Sequence, residues 1–526
     1  MDAMPPRGPR LLIRKSIEQV QFECGNQHLK RTLGPLNLVL FGIGCIIGAG
    51  IYVMTGNAAA EYAGPAVMLS FVVAGLACAF AGFCYAELAS CMPVAGSAYT
   101  YSYTTLGEVF AWIMGWLLVL EYGVAASTVA AGWSGNVTSL LANFGLHLPT
   151  YMTTAFVQAV QVNHSTVFTG GHGLNLLAAL GVLAITGVLV LGVSESAKVN
   201  NIIVVVKVGV LLAFIVAGVF FVHPANWHPF IPHSEGGLRY GTAGIFRAAS
   251  TIFFAYVGFE AVSTAAAEAK DPARDMPIGI LGSLAICTVL YIVVAAVLTG
   301  MVPYRQLGGP APIALAVNRM GPAFVWFAVV IKVGAVAGLT SVMLILTYGQ
   351  TRIFFSMARD GLLPKMFSVL HPRFRTPWIG TVLLGSAIAT AAAMLPIDIL
   401  GNLVSLGTAV AFAIVCISVL WLRAKAPDMP RPYRAPGGIW TPILGIIGSL
   451  VMAAPLLADI ILSAIKGDVI PASILGGYIV LGAMLYAGYG LKHSRLAQGL
   501  GQRDVDGIPG PGAMQAELRG IGQDHA

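Results

Sequence analysis

Charge is what this sequence has least of. Asp, Glu, Lys and Arg make up 10% of its 526 residues, against 57% for hydrophobic types. A chain this long would ordinarily divide into several soluble domains. So few charges cannot solvate their surfaces, and a mean hydropathy of +0.81 indicates one large membrane domain instead. Cysteine is sparse too: the seven residues form no CxxC pair, and all but Cys24 lie in or beside apolar runs. They read as small buried side chains, with neither a disulfide framework nor a metal site. No Gly-Lys-Ser/Thr, no HExxH and no mid-span histidine is present, so the marks of a P-loop, a zinc helix or a membrane-embedded hydrolase are missing, and no cofactor is expected. The net charge of +7 is no nucleic-acid signature, because the basic residues fall between apolar runs. About thirty polar residues precede the first of those runs, so no cleavable leader is apparent.

What is abundant is apolar length. Segments long enough to cross a bilayer lie near 34–57, 64–91, 98–135, 174–194, 199–222, 242–268, 277–302, 321–351, 376–396, 398–422, 439–465 and 470–491. With the N-terminus inside, 22 of the 29 Lys and Arg residues fall on the cytoplasmic side and 5 on the outer side, while Lys207 and Lys332 sit within spans. Twelve transmembrane helices with both termini cytoplasmic fit that bias. The expected fold is an all-α polytopic membrane protein. Residues 1–32 form a cytoplasmic arm, in which "RLLIRKSIEQVQFE" reads as a surface helix or a solvated basic stretch. Residues 493–526, Gly/Pro-rich, read as a disordered tail.

Glycine is placed where a membrane helix does not need it. The run "FGIGCIIGAGIY" carries Gly42, Gly44, Gly48 and Gly50 within the first span, and "FFAYVGFEAV" puts Gly258 and Glu260 mid-way through the sixth. Glycine inside a helix costs about 1 kcal/mol relative to alanine, and non-helical backbone at membrane depth is tolerated where it lines a cavity or is buried in protein. Close packing through "GCIIG" is one explanation. Unwinding at matching points of two repeats is the other, and it is the mark of a secondary transporter.

The surrounding motifs are long. "LKRTLGPLNLVLFGIGCIIGAGIYVMTG" (29–56), "AGPAVMLSF" (63–71), "CYAELASCMPVAGSAYTYSYTTLGEVFAWIMGWLLVLEY" (84–122), "FFAYVGFEAVSTAAAEAKDPARDMPIGI" (253–280) and "GQTRIFFSMARDGLLP" (349–364) together resemble the amino acid–polyamine–organocation superfamily. Within it they resemble the bacterial type of the cationic amino acid transporter branch. Ala267 departs from that pattern, which often has a second acidic residue beside Glu268, and the chain has two spans fewer than the fourteen of animal members.

The resemblance implies a transport core over 33–422. Spans one to five (34–222) and six to ten (242–422) would form a 5+5 inverted repeat with discontinuous first and sixth helices, and 439–491 would add two peripheral helices. It implies a substrate-binding set of Ile46, Gly48, Ala49, Gly50, Phe254, Ala255, Val257 and Gly258. In that set the amides of Gly48, Ala49 and Gly50 take the carboxylate, carbonyls of Ile46, Phe254, Ala255 and Val257 take the ammonium, and Phe254 closes over the substrate. Exposed amides at a half-helix start do favour an anion, and free carbonyls a cation. In sodium-coupled relatives an ion lies between the first and eighth helices. The resemblance places Thr340 and Ser341 at that position, with the Lys207 ammonium occupying it.

The ionisable residues within spans extend this reading. Lys207 lies nine residues beyond Lys198, roughly 14 Å into the bilayer at 1.5 Å per residue. A charge at that depth marks a functional site by default; the alternative is a structural pair with a carboxylate. Glu121 in "LVLEYGV" is that partner, a second proton site, or a contact for a basic substrate side chain. Glu87 and Glu268 are expected to pair with cytoplasmic basic residues, and Arg247 to reach the outer surface. Lys332 has no account from sequence. Asn136-Val-Thr and Asn163-His-Ser match a glycosylation pattern on the outer side.

The expected function is therefore proton-coupled, sodium-independent amino acid uptake across the plasma membrane, with the lipid bilayer, the amino acid and the proton as partners. An exchanger, or a sensor that binds without transporting, are the alternatives. The substrate side chain stays open between cationic and small neutral.

Overall fold

In lipid every backbone N–H and C=O must be paired within the protein, so long apolar runs become helices. The computed structural model describes residues 13–15, 32–94, 96–162, 165–192, 197–309, 311–496 and 498. Most of the expected cytoplasmic arm and tail, the basic surface helix beyond Ile13–Lys15, and Asn163 lie outside these residues. Among the described residues, nine helical stretches are long and apolar enough to cross a membrane, and Pro35–Ile46, Leu176–Val190 and Trp378–Met394 are shorter apolar helices. The expected segment 34–57 is divided between Pro35–Ile46 and the stretch that begins at Gly50, which also carries 64–91.

We label the helices α1 (Pro35–Ile46), α2 (Val67–Cys91), α3 (Ser97–Thr105), α4 (Glu108–Leu118), α5 (Ala125–Ala142), α6 (Leu176–Val190), α7 (Ala197–Gly218), α8 (Gly241–Ile252), α9 (Pro272–Met301), α10 (Pro312–Asn318), α11 (Val325–Arg359), α12 (Trp378–Met394), α13 (Ile397–Lys425), α14 (Trp440–Ile465) and α15 (Ile470–Leu485). Two packing groups result. α9 lies on α1 and α2, whereas α11 lies on α5 and α12 on α6. α7 touches both groups, through α1 and α11, and α13 packs on α14. The stretch Gly241–Glu268 is the most enclosed, 94% buried over its apolar window, while Ile470–His493 is 11% buried and faces outward.

Three expectations change. The segment 98–135 is no single helix: α3 stops at Gly107, whose φ of +104° suits glycine, and the spanning stretch runs from Glu108 to Ala142. The chain is not wholly helical either. Val157–Val162 and Ser165–Gly170 pair as an antiparallel ribbon, β1 and β2, with Val157 opposite Gly170. Alternating β-branched residues in "VQAVQV" and "STVFTG" favour strand, and the Phe168 N–H donates to Asp468 at 2.9 Å to tether it. Finally, Asn136 is 3% exposed inside α5 and donates to the Gly132 carbonyl, so its amide is no surface acceptor for a glycan.

Candidate functional site

Both glycine-rich stretches interrupt their helices. α1 ends at Ile46, Ile47 turns extended with ψ 93°, and helix resumes as a π-turn over Gly50–Met54. α8 ends at Ile252 and tightens into a 3-10 turn, Phe253–Tyr256. Val257 is then extended, Gly258 takes φ +120°, and a second 3-10 stretch runs from Glu260 to Glu268. The two interruptions meet. A Cβ on Gly50 would lie 2.3 Å from Ala255 Cα, and one on Gly258 2.8 Å from the Cys45 carbonyl carbon. Any side chain at either position would hold the two backbones apart, so these glycines are required by close approach.

The fold thus gathers the residues expected to bind substrate. Ile46, Ala49, Phe254, Ala255 and Val257 are all within 5% exposure, and Gly48, Gly50 and Gly258 are buried beside them. Several groups freed by the breaks already have protein partners. The Tyr291 hydroxyl donates to the Ile46 carbonyl at 2.9 Å, the Phe254 N–H donates to Ser405 Oγ at 3.1 Å, and the Gly258 N–H donates to both Glu260 oxygens at 3.0 and 2.9 Å. Tyr291 and Ser405 carry no motif; ordinary residues in apolar helices gave sequence reading nothing to find.

Lys207 is fully buried and crosses between the packing groups. Its Nζ donates to the Gly44 carbonyl at 2.9 Å, one of the acceptors left over at the end of α1. Its stem lies on Gly338 of α11, where a Cβ would be 3.1 Å from Lys207 Cγ. The ammonium therefore sits at the break of the first helix. Glu121 is not its partner. The Glu121 carboxylate, on a π-turn over Val119–Val124, faces Glu260, and neither of its oxygens has a hydrogen-bond partner among the described residues. Thr340 and Ser341 differ from each other: the Thr340 hydroxyl receives the Trp133 indole N–H at 3.0 Å, whereas the buried Ser341 hydroxyl has no hydrogen-bond partner among the described residues.

Other charges resolve individually. Glu87 takes Arg423 on both oxygens, as expected for an inner helix end, and also the Ala435 N–H. Glu268 forms no such pair among the described residues and instead borders a cavity. Arg247 does not reach outward: 1% exposed, it bonds Asp459 of α14 at 2.8 Å and stacks on Tyr62 at 4.5 Å. Burial is acceptable there because its donors find acceptors. Lys332 donates to the Ser139 carbonyl at 3.1 Å and to Asn143 Oδ1 at 3.0 Å, capping the C-terminal end of α5.

A cavity of about 330 Å³ opens on the side where Lys15 and Arg495 both meet Asp360, hereafter the terminal side. It runs between the N-terminal end of α1, the 260–268 stretch, the start of α7 and the last turns of α11, and reaches Tyr122. Its walls include none of the eight residues assigned to substrate. They are buried away from it in this conformation.

Comparison with known proteins places this architecture. Residues 33–481 match the family model described as amino acid permease. The methylthioribose transporter of Bacillus subtilis is 42% identical over 92% of this chain and 99% of its own length, and the branched-chain amino acid permease BcaP of the same organism is 43% identical over 92% and 98%. The Arabidopsis thaliana cationic amino acid transporter 3 is 38% identical over 80% of this chain and 68% of its own. Among solved structures, MhsT in complex with L-phenylalanine superposes with a TM-score of 0.53 over 82% of this chain and 98% of that one, at 14% identity, a likeness of fold alone. The chain belongs to the amino acid permease family of the amino acid–polyamine–organocation superfamily.

Proposed function

We propose that this permease carries amino acids into the cell by proton-coupled, sodium-independent alternating access, and that the residues around the two helix breaks bind the substrate. The amides of Gly48, Ala49 and Gly50 face the carboxylate, and carbonyls of Ile46, Phe254, Ala255 and Val257 face the ammonium, with Gly258 allowing the second turn. Spans one to five and six to ten act as inverted repeats. The two packing groups supply bodies that can rock against each other about the breaks. The protein lies in the plasma membrane with both ends cytoplasmic. The basic-residue bias and the meeting of Lys15 and Arg495 at Asp360 support that orientation.

The observation that carries the reading is Lys207 Nζ on the Gly44 carbonyl. A cation already bridges the first helix and α11, where Ser341 stands unpartnered, and it is fixed to the chain. Loss of its proton would free the broken end of α1 to move. Glu121, beside Glu260 and reaching the cavity wall through Tyr122, is a second place where a proton can reside. Apolar surroundings and the branched-chain permease among the relatives favour a neutral aliphatic substrate over a cationic one.

Purified protein in sealed vesicles tests this. Labelled leucine or valine should accumulate when the outside is acidic and sodium is absent. Lys207→Ala should still bind substrate yet lose acid-driven accumulation. A requirement for sodium, or full pH dependence in the lysine variant, would overturn the coupling scheme. Competition by twenty amino acids and by methylthioribose at two pH values would fix the substrate.

A further inference from the structure

The terminal-side cavity has a chemistry that the substrate site does not use. Arg352 and Glu268 both border it, yet no ion pair joins them among the described residues. Arg352 lies over the Tyr348 ring at 4.4 Å, and the Tyr348 hydroxyl feels both the guanidinium and the Glu268 carboxylate. Glu268 is pinned by its main chain, whose carbonyl accepts the N–H groups of Thr32 and Leu33 at 3.0 and 3.1 Å. Opposite charges left unpaired on the wall of one cavity suit a molecule that carries both. Asn200 adds an independent sign: it is 5% exposed, borders the same cavity, and its side-chain oxygen has no hydrogen-bond partner among the described residues. A buried amide oxygen without a donor is uncommon unless something polar visits it.

We propose that this cavity is a second binding site for the zwitterionic substrate, occupied between the helix breaks and the water of the terminal side. Arg352 holds the carboxylate, Glu268 the ammonium group, and Asn200 accepts from the ammonium as the molecule moves inward. The proposal rests on the amino acid transport reading above. The volume of about 330 Å³ lies in the range of small-molecule sites, and Phe41 and Leu344 supply an apolar wall for an aliphatic side chain. The route onward is short. Asn200 precedes Lys207 by seven residues, two turns along one face of α7. Its oxygen would lie 3.1 Å from a Cβ on Gly44, the residue whose carbonyl Lys207 holds. One face of α7 thus leads from the cavity to the first break.

The test uses the full chain in sealed vesicles of both orientations, with Arg352→Gln and Glu268→Gln. Each change should raise KM about tenfold for amino acid presented from the terminal side, the usual worth of one charge-assisted hydrogen bond. KM from the opposite side should stay unchanged, which also shows that the variants fold. The swapped variant Arg352→Glu with Glu268→Arg should recover most of the loss. Equal KM changes from both sides, or none from either, would overturn the proposal while leaving amino acid transport standing. A wild-type chain that moves no amino acid in either direction would overturn the transport reading and this site with it.

Discussion

Lys207 and Lys332 are both buried lysines in apolar helices, 0% and 1% exposed, yet their surroundings assign them different work. Lys332 satisfies leftover acceptors at the end of α5, an interaction of about 1 kcal/mol with helix carbonyls and dipole. Lys332→Met should lower thermal stability by about that amount and leave the pH dependence of uptake untouched. The same stability change in Lys207→Ala without a transport defect would erase the distinction. Gly258 is constrained differently. At φ +120° and 2.8 Å from backbone, alanine costs strain and a displaced neighbour, of order 1–3 kcal/mol. Gly258→Ala should therefore abolish substrate binding, measured by scintillation proximity, with the protein still extractable as a monodisperse species. Alanine at Gly187, where a Cβ meets nothing within 4 Å, is the matched control and should behave as wild type.

At the scale of elements, the interrupted helices are held by cross-element donors. The α1 end relies on Tyr291 of α9 and Lys207 of α7, and the α8 end relies on Ser405 of α13. Tyr291→Phe removes one hydrogen bond and leaves the ring tilted against Phe71 and Tyr256. It should weaken substrate affinity several-fold through a misplaced Ile46 carbonyl while costing about 1 kcal/mol of stability. The π-turn over Val119–Val124 does similar work for Glu121. A π-turn widens the helix by one residue and re-aims what it carries, here toward Glu260. Glu121→Gln keeps the shape and removes the exchangeable proton, so uptake should persist with a flattened pH profile. An unchanged profile would confine proton exchange to Lys207.

Across the molecule, the side opposite Asp360 is tied by Arg247. Its guanidinium joins α8 to Asp459 of α14, with Tyr62 and Asn402 within reach. Removing one partner leaves the other without compensation. Since Asp459 is 43% exposed and can rehydrate, Arg247→Met should cost about 1–3 kcal/mol, visible as a lowered melting temperature. Asp459→Asn, which leaves the buried guanidinium without this charge partner, should cost at least as much. This pair ties α14 to α8, a link that apolar composition alone did not disclose.

The sequence by itself determined the apolar solvent, the general run of apolar helices, the two interrupted helices and the family. Each rests on local signals: composition, run length, glycine density and motifs of nine or more residues. It located Gly50, Gly258, Lys207 and Glu121 because glycine and charge are conspicuous against an apolar background. The tertiary structure alone decided that Glu121 faces Glu260 instead of Lys207, that Trp133 engages Thr340, that Arg247 is paired inside, that Lys332 caps a helix, and that Val157–Val162 and Ser165–Gly170 pair as a ribbon. Those outcomes depend on which helix faces lie together across hundreds of residues. A tyrosine or serine in an apolar run looks the same to a sequence reader whether it meets lipid, a neighbouring side chain or the open carbonyl of a broken helix.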